Sequence, residues 1–424
     1  MPPSAAAMPS AIISDQAAVR ATCERILGQN WREGMRDSKR FAYTCPSPGH
    51  YPWQWFWDSC FTAVAWRHFD ADRSRRELES LLAAQRPDGF IGHTIFWNTP
   101  LRGVRRFTYN VTEPRALMTA SIQPPALAWA WRIAIGDPRE VPGIGRQHDW
   151  LEANRDLDHD GLIWIVQPDE SGLDASPQFD AVWRARAHSR LGYVLLVQRN
   201  RRLGYDARRI AASGGPVCCE VMTNVIYSLS RSALGRPSLT GQIVERMYDP
   251  DAALFRPLAR PEPSRTPALT WTALAPLALP DLPEEIARKL VERHLLDRAR
   301  FWLPVPPPSV SAADPTFTTQ DRNALGVRRY WRGPTWINAA WLVWLGLVRL
   351  GYDEPAEQLV SRIAGTVHAH GLREYYNPYT GQGMGAFDFG WSSLAIELTE
   401  PDPRTRSSYL GTGTPPRRDS VEAA

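Results

Sequence analysis

Two kinds of helical segment alternate along this chain, and few architectures accommodate that alternation. One kind is aromatic and apolar on nearly every face: 55–69, 115–135, 217–233, 267–278, 333–350 and 388–399. A helix with no polar face has to be buried all round. The other kind carries a charged stripe: 15–28, 71–85, 145–154, 237–248, 283–295 and 354–369. The stretch Asp281-Leu-Pro-Glu-Glu-Ile-Ala-Arg-Lys-Leu-Val-Glu292 is typical, with acids at its start and apolar residues three and four apart. Buried helices interleaved with half-exposed ones predict an inner ring wrapped by an outer ring, an all-α (α/α)6 toroid. A solenoid would show shorter and more uniform repeats. The helix at 15–28 then supplies the last outer position and closes the ring.

The pattern predicts a single domain over 14–410, with an arginine-rich insertion at about 178–209 forming part of the rim. Residues 1–13 and 411–424 carry no pattern and are expected to be disordered. With 424 residues and 43% apolar content, the chain has ample core for one domain of this size. No run approaches the ~20 apolar residues of a membrane span, and the start lacks the charged and apolar regions of a signal peptide. Cys23, Cys45, Cys60, Cys218 and Cys219 lack zinc-site spacing and read as reduced thiols of a cytoplasmic protein. The net charge of +4 comes from arginines spread along the whole chain, with Lys39 and Lys289 the only lysines. Dispersed arginine argues against a nucleic-acid partner. The sequence does not fix the oligomeric state.

Tryptophan is abundant, with 18 in the chain, and it bunches. Core packing accounts for most of these rings. The cluster Tyr51-Pro-Trp-Gln-Trp-Phe-Trp-Asp58 mixes aromatic faces with carboxylate, amide and hydroxyl groups. Sugars ask for that mixture, because their C–H faces stack on rings while their hydroxyls bond to planar polar groups.

Two loops concentrate carboxylates. In Pro168-Asp-Glu-Ser-Gly-Leu-Asp-Ala-Ser-Pro177, Asp174 or Ser176 is either an N-cap for the helix starting near Pro177 or, for Asp174, a general acid facing the toroid mouth. In Arg373-Glu-Tyr-Tyr-Asn-Pro-Tyr-Thr-Gly381, an Asn-Pro turn is one reading, and Glu374 ahead of a Gly-rich loop is the other. Paired carboxylates from distant loops are what glycoside hydrolysis requires: one protonates the leaving oxygen, the other activates water. A sugar-binding toroid without catalysis would need neither.

An ordered set of motifs carries a family resemblance: Trp55-Phe-Trp-Asp-Ser59, Gln123-Pro-Pro125, Glu170-Ser-Gly-Leu-Asp174, Trp331-Arg-Gly-Pro-Thr-Trp336, Glu374-Tyr-Tyr and Phe389-Gly-Trp391. Together they resemble glycoside hydrolase family 63, within it the compact bacterial mannosylglycerate and glucosylglycerate hydrolases, and more distantly trehalases. The resemblance implies an (α/α)6 barrel and an inverting α-glycosidase without cofactor or metal, acting on a small soluble glycoside such as glucosylglycerate or mannosylglycerate. Another α-glucosidase activity, on an oligosaccharide or trehalose, is the alternative. It implies Asp174 as general acid, Glu374 as general base and Asp58 as a grip on sugar hydroxyls. Gln123, Tyr330, Trp331, Arg332 and Trp336 resemble pocket-lining positions, and the same motifs put Tyr51, Trp55, Trp57, Tyr375 and Trp391 among the substrate-binding residues. In trehalases a Gln lies shortly before the F-G-W element. Here Ala386-Phe-Asp-Phe-Gly390 stands in that place, so the resemblance assigns no leaving-group contact to this loop.

Four further features have local readings. Asp156-Leu-Asp-His-Asp-Gly161 resembles half a calcium loop but has Gln167 at the twelfth position, which favours a polar turn. Arg86-Pro-Asp-Gly89 fits a type I turn, from which Asp88 or His93 could reach the pocket. Glu220 and Asn224, one helical turn apart, read as a structural pair. Arg102, Arg105 and Arg106 form either a solvated rim or a lid attracting an anionic leaving group such as glycerate, for which Arg332 and, behind it, the 199–202 cluster are further candidate contacts.

Overall fold

Each apolar run becomes a helix, though several helices are shorter than the runs that contain them. The computed structural model describes residues 10–98, 108–113, 116–184, 189–261, 268–322 and 329–401. Its inner helices are Phe56–Trp66, Leu127–Ala134, Val221–Ala233, a 3-10 helix at Trp271–Ala278, Ile337–Arg349, and Gly390–Leu394 continuing into Ala395–Thr399. The run expected to be helical over 115–135 starts only at Leu127, because Pro124 and Pro125 lack amide donors and push the residues before them out of helical geometry. Its upstream part is extended instead, with Met118 bridging to Ile95. The run at 217–233 is likewise divided. Val217–Cys219 pairs with Leu258–Arg260 as a short strand, and the Glu220 carboxylate then caps the following helix by accepting from the Thr223 amide. Pro276 sits inside Trp271–Ala278 and keeps it in the tighter 3-10 form.

The inner helices form a closed circuit. Each packs on the next in chain order, and Gly390–Leu394 packs back on Phe56–Trp66. Outside them lie Ser10–Asn30, Ala71–Ala84, Pro142–Arg155, Thr240–Met247, Glu284–Leu290 running into Val291–Leu295, and Asp353–His370. Ser10–Asn30 packs on Asp353–His370 and Ala395–Thr399, the closing position expected of it. It begins at Ser10, inside the stretch expected to be disordered. Residues 1–9 and the 411–424 tail lie outside the described residues. The sheets are two-stranded antiparallel ladders, among them Arg373–Tyr376 with Gly383–Phe387. The expected rim segment contains the helices Asp180–Trp183 and Arg190–Arg202. The five cysteines are buried and unbonded to each other. No helix among the described residues is long and apolar enough to cross a membrane.

A buried ion pair clasps the ring where its ends meet. Just past the first inner helix, Arg67 reaches Glu397 in the last one, with Nε–Oε1 at 3.0 Å and Nη2–Oε2 at 2.7 Å. His68 Nε2 lies 2.6 Å from the same carboxylate. Removing one member of such a pair strands the other in a medium that cannot solvate it. Glu397→Ala should therefore destabilise the fold by about 3–5 kcal/mol, read as a lower midpoint in urea unfolding. An unchanged midpoint would mean that ring closure does not depend on the clasp.

Candidate active site

The stretches that immediately precede inner helices converge on one cavity of about 270 Å³. Trp55, Trp57 and Asp58 come from the start of Phe56–Trp66, Gln123 from ahead of Leu127–Ala134, and Trp331 and Trp336 from ahead of Ile337–Arg349. Phe389 and Trp391 stand at the start of the last inner helix. The volume falls near the lower end of small-molecule sites. Of the residues expected to bind substrate, Tyr51, Trp55, Trp57, Asp58, Gln123, Tyr330, Trp331, Trp336 and Trp391 all line this cavity, as do Asp174 and Glu374.

Two expected residues do not line it. Arg332 turns away and pairs with Asp180 of the rim segment, Nη2 to Oδ1 at 2.5 Å. Tyr375 follows Glu374 on a strand, and its ring packs on Trp336 and Tyr330 at 4.7 and 6.0 Å between centroids. It backs the aromatic wall rather than forming its surface.

That wall is tightly built. The Trp331 and Trp336 rings stack with centroids 3.8 Å apart and planes 3° from parallel. Trp391 meets Trp336 and Trp57 edge-on at 5.6 and 4.9 Å. Gln123 acts as a remote cap for the Phe56–Trp66 helix, its Oε1 accepting the Trp57 amide at 3.0 Å. This bond explains why a Gln before two prolines belongs with a W-D-S motif far away in the chain.

Asp174 is half-buried, and its Oδ2 accepts the Tyr330 hydroxyl at 2.8 Å. It is not a helix cap. Ser176 holds the N-cap position of Pro177–Phe179, without a side-chain capping bond. The loop bends at Gly172, in the left-handed region with φ 72°, where an added Cβ would stand 2.3 Å from the Trp57 ring. Glu170 lies in the same loop but its carboxylate is bound to Arg155. The other carboxylate of this loop that lines the cavity is Asp169.

Glu374 is buried and held from two sides. Its Oε2 accepts the Ala386 amide at 2.9 Å, and its Oε1 accepts the Tyr51 hydroxyl at 3.3 Å. Gly385, with φ 66°, lets the facing strand come this close, since a Cβ there would lie 2.6 Å from Glu374 Oε2. Asp58 is also buried. Burial, reinforced by the charges of Glu374 and Glu77, raises its carboxyl well above the usual range. Asp169 is raised in the same way, by burial and then by the charges of Asp174 and Glu170. The cavity thus holds four carboxyl groups, two of which favour the protonated form.

His93, Tyr109, Asn110, Asp169 and Tyr193 also line the cavity, and of these the sequence motifs point only to His93, as a residue able to reach it. Asp169 is visible in the sequence as a third carboxylate in its loop. Tyr193 lies in the arginine-rich segment, where the charges mask it. Of the arginines considered for an anionic ligand, 102, 105 and 106 lie outside the described residues, and Arg201 instead donates to the Tyr109 and Val111 carbonyls. The remaining features are structural. Asp158 and Asp160 of the calcium-like turn are paired with Arg246, and Asp158 also with Arg260. The Arg86–Gly89 turn closes at 3.0 Å, with Asp88 paired to Arg86. Asn224 donates to the Glu220 and Ile163 carbonyls.

Behind Asp58, Glu77 accepts from the Thr44 amide and hydroxyl and from the Ser59 hydroxyl, and its burial pushes its carboxyl up to about 7. A carboxyl whose folded value exceeds its unfolded one binds extra protons in the native state. The contribution of this group to stability is then fully present below about pH 4.5 and is lost as pH rises through about 7, by on the order of 3 kcal/mol. Urea titrations of wild type and Glu77→Gln should differ by this slope between pH 4.5 and 7. Parallel profiles would contradict it.

Comparison with known proteins agrees with this geometry. Residues 51–236 and 235–392 match the family described as Mannosylglycerate hydrolase MGH1-like glycoside hydrolase domain. The mannosylglycerate hydrolase of Thermus thermophilus is 29% identical over 425 residues, covering 87% of this chain and 99% of that protein. The glucosylglycerate hydrolase of Mycolicibacterium hassiacum is 25% identical, covering 85% and 95%. The crystal structure of a GH63 mannosylglycerate hydrolase from Thermus thermophilus, in complex with Tris and D-glycerate, matches with TM-score 0.74 and 28% identity, over 90% of this chain and 100% of that one. The family match spans most of the chain, which therefore belongs to the mannosylglycerate hydrolase MGH1-like glycoside hydrolases of family 63 and is a glycosidase on an (α/α)6 toroid.

Proposed function

We propose that this enzyme hydrolyses the α-glycosidic bond of a mannosyl- or glucosylglycerate with inversion at the anomeric carbon, Asp174 acting as general acid and Glu374 as general base. The observation that carries the reading is that two carboxyl groups 200 residues apart in the chain, one bonded by a tyrosine hydroxyl and the other by a backbone amide, line one aromatic cavity. Asp174 donates its proton to the glycosidic oxygen as the C–O bond breaks. Glu374 takes a proton from water, whose oxygen attacks the anomeric carbon from the opposite face. The products are a free hexose of inverted configuration and the aglycone alcohol.

Each carboxyl has surroundings suited to its part. Asp174 lies beside Asp169 in the same cavity, and two carboxyls placed there do not both ionise cheaply, so the pair retains a proton for the acid to donate. Glu374 accepts two hydrogen bonds, which favour its ionised form. Asp58, in the same cavity, is placed to bond sugar hydroxyls, while Trp331, Trp336 and Trp391 line it with apolar surface. The names of the relatives support the hexosylglycerate class. Buried, unbonded cysteines support a reducing compartment such as the cytoplasm. The span 14–410 reads as one catalytic domain, acting without nucleic-acid or membrane partners.

Hexose release should be measured from mannosylglycerate, glucosylglycerate, trehalose and kojibiose. A hexosylglycerate should give the highest kcat/KM. Asp174→Asn and Glu374→Gln, which preserve shape, should each lower kcat by about 10²–10⁴ with the fold intact by circular dichroism. Near-normal turnover in either variant, or trehalose as the best substrate, would overturn the assignment.

A further inference from the structure

The cavity contains a polar wall that the acid and base do not use. Asp169, His93, Asn110 and Tyr193 all line the cavity, and their hydrogen bonds form one network. Asp169 Oδ2 accepts from Asn110 Nδ2 at 3.1 Å, Gln167 Nε2 at 2.9 Å and the Tyr193 hydroxyl at 3.0 Å. His93 Nδ1 lies 3.7 Å from that same oxygen and 3.5 Å from Ser121 Oγ. Asn110 also donates to Ser121 Oγ. In the tautomer in which Ser121 gives its hydrogen to His93 Nδ1, Nε2 is the nitrogen that carries the proton.

Two atoms of the network have no hydrogen-bond partner among the described residues: Asp169 Oδ1 and His93 Nε2. Both side chains are more than nine-tenths buried, each residue being 5% exposed. Buried polar groups in folded proteins are nearly always paired. Of the unmet buried atoms, these two belong to neighbouring side chains that both line the cavity, so one ligand group can partner both.

We propose that this wall recognises a free hydroxyl on the leaving group, so that Asp169 and His93 select α-hexosides with a hydroxylated aglycone. The inference rests on the reading of Asp174 as general acid, because that acid stands beside the leaving oxygen and Asp169 shares its loop. A hydroxyl satisfies both orphaned atoms. Its oxygen accepts from His93 Nε2, and it accepts from Asp169 Oδ1 when that carboxyl is protonated or donates to it when ionised. Burial lowers the His93 pKa to about 3, so its imidazole is neutral and offers no positive charge. No arginine or lysine stands among the described residues lining the cavity. A carboxylate turned to this wall would meet the Asp169 carboxyl without a counter-charge. In a hexosylglycerate the glycerate hydroxyl, not its carboxylate, faces Asp169 and His93.

Matched substrates isolate that hydroxyl. The α-mannosyl and α-glucosyl derivatives of glycerate and of lactate, linked through the 2-oxygen, differ only in whether the leaving group carries it. Sites built to bond a hydroxyl reject analogues that lack it, so kcat/KM should fall at least about 10²-fold from glycerate to lactate. In His93→Phe and Asp169→Leu the ratio should collapse towards one. A merely structural role for either residue would depress both substrates together and leave the ratio intact. Similar rates on the two aglycones in the wild-type enzyme, with Asp174→Asn inactive, would overturn this inference alone, as would a ratio that survives in both variants. An active Asp174→Asn would overturn the reading beneath it.

Discussion

One buried carboxylate, Glu170, organises this active site without touching its cavity. Its oxygens accept from Arg155 Nη1 and Nη2 at 2.6 and 2.7 Å, from the Ile122 amide at 3.0 Å and from the Val166 amide at 2.7 Å. Those bonds join the outer helix Pro142–Arg155, the stretch leading to Gln123 and the loop that carries Asp169 and Asp174. An ion pair this deep gives no large net stabilisation relative to apolar packing, because both charges give up their hydration. It is specific, however: only a carboxylate can accept from a guanidinium and two backbone amides at once. The carboxyl groups on either side of Glu170 in sequence take their positions from it.

The cavity that results has two electrostatic halves. Asp58 feels Glu374 and Glu77, while Asp169 feels Asp174 and Glu170. In each half one carboxyl sits in surroundings that favour the proton. Four ionised carboxylates could not share so small and aromatic a space, and burial resolves the conflict by protonation. The stacked pair Trp331–Trp336 supplies the low-dielectric side of this arrangement.

Much of this is legible in the amino-acid sequence alone. The alternation of apolar and striped helices carries the toroid, because a closed double ring needs one set with no polar face. Asp174 and Glu374 stand out only through the ordered motifs, since spacing alone reads Asp174 equally well as an N-cap. Helix starts are less legible: at 115–135 two prolines override an apolar run that otherwise reads as continuous. Arg332 is misplaced by its motif, since its partner Asp180 lies in the rim segment, a pairing of distant residues that spacing cannot reveal. Tyr375 is misplaced by one strand position, where side chains change face. Glu170 stands in one motif with Asp174, but Arg155, from the preceding helix, claims its carboxylate.

The central claim is that the two loop carboxyls act on opposite faces of the anomeric carbon, one on the leaving oxygen and one on water. Proton NMR of the first hexose released from an α-hexosylglycerate, recorded before mutarotation, tests this directly. The account predicts the β-anomer as the initial product. An initial α-anomer would show retention, make Glu374 a nucleophile or a bystander, and contradict the account.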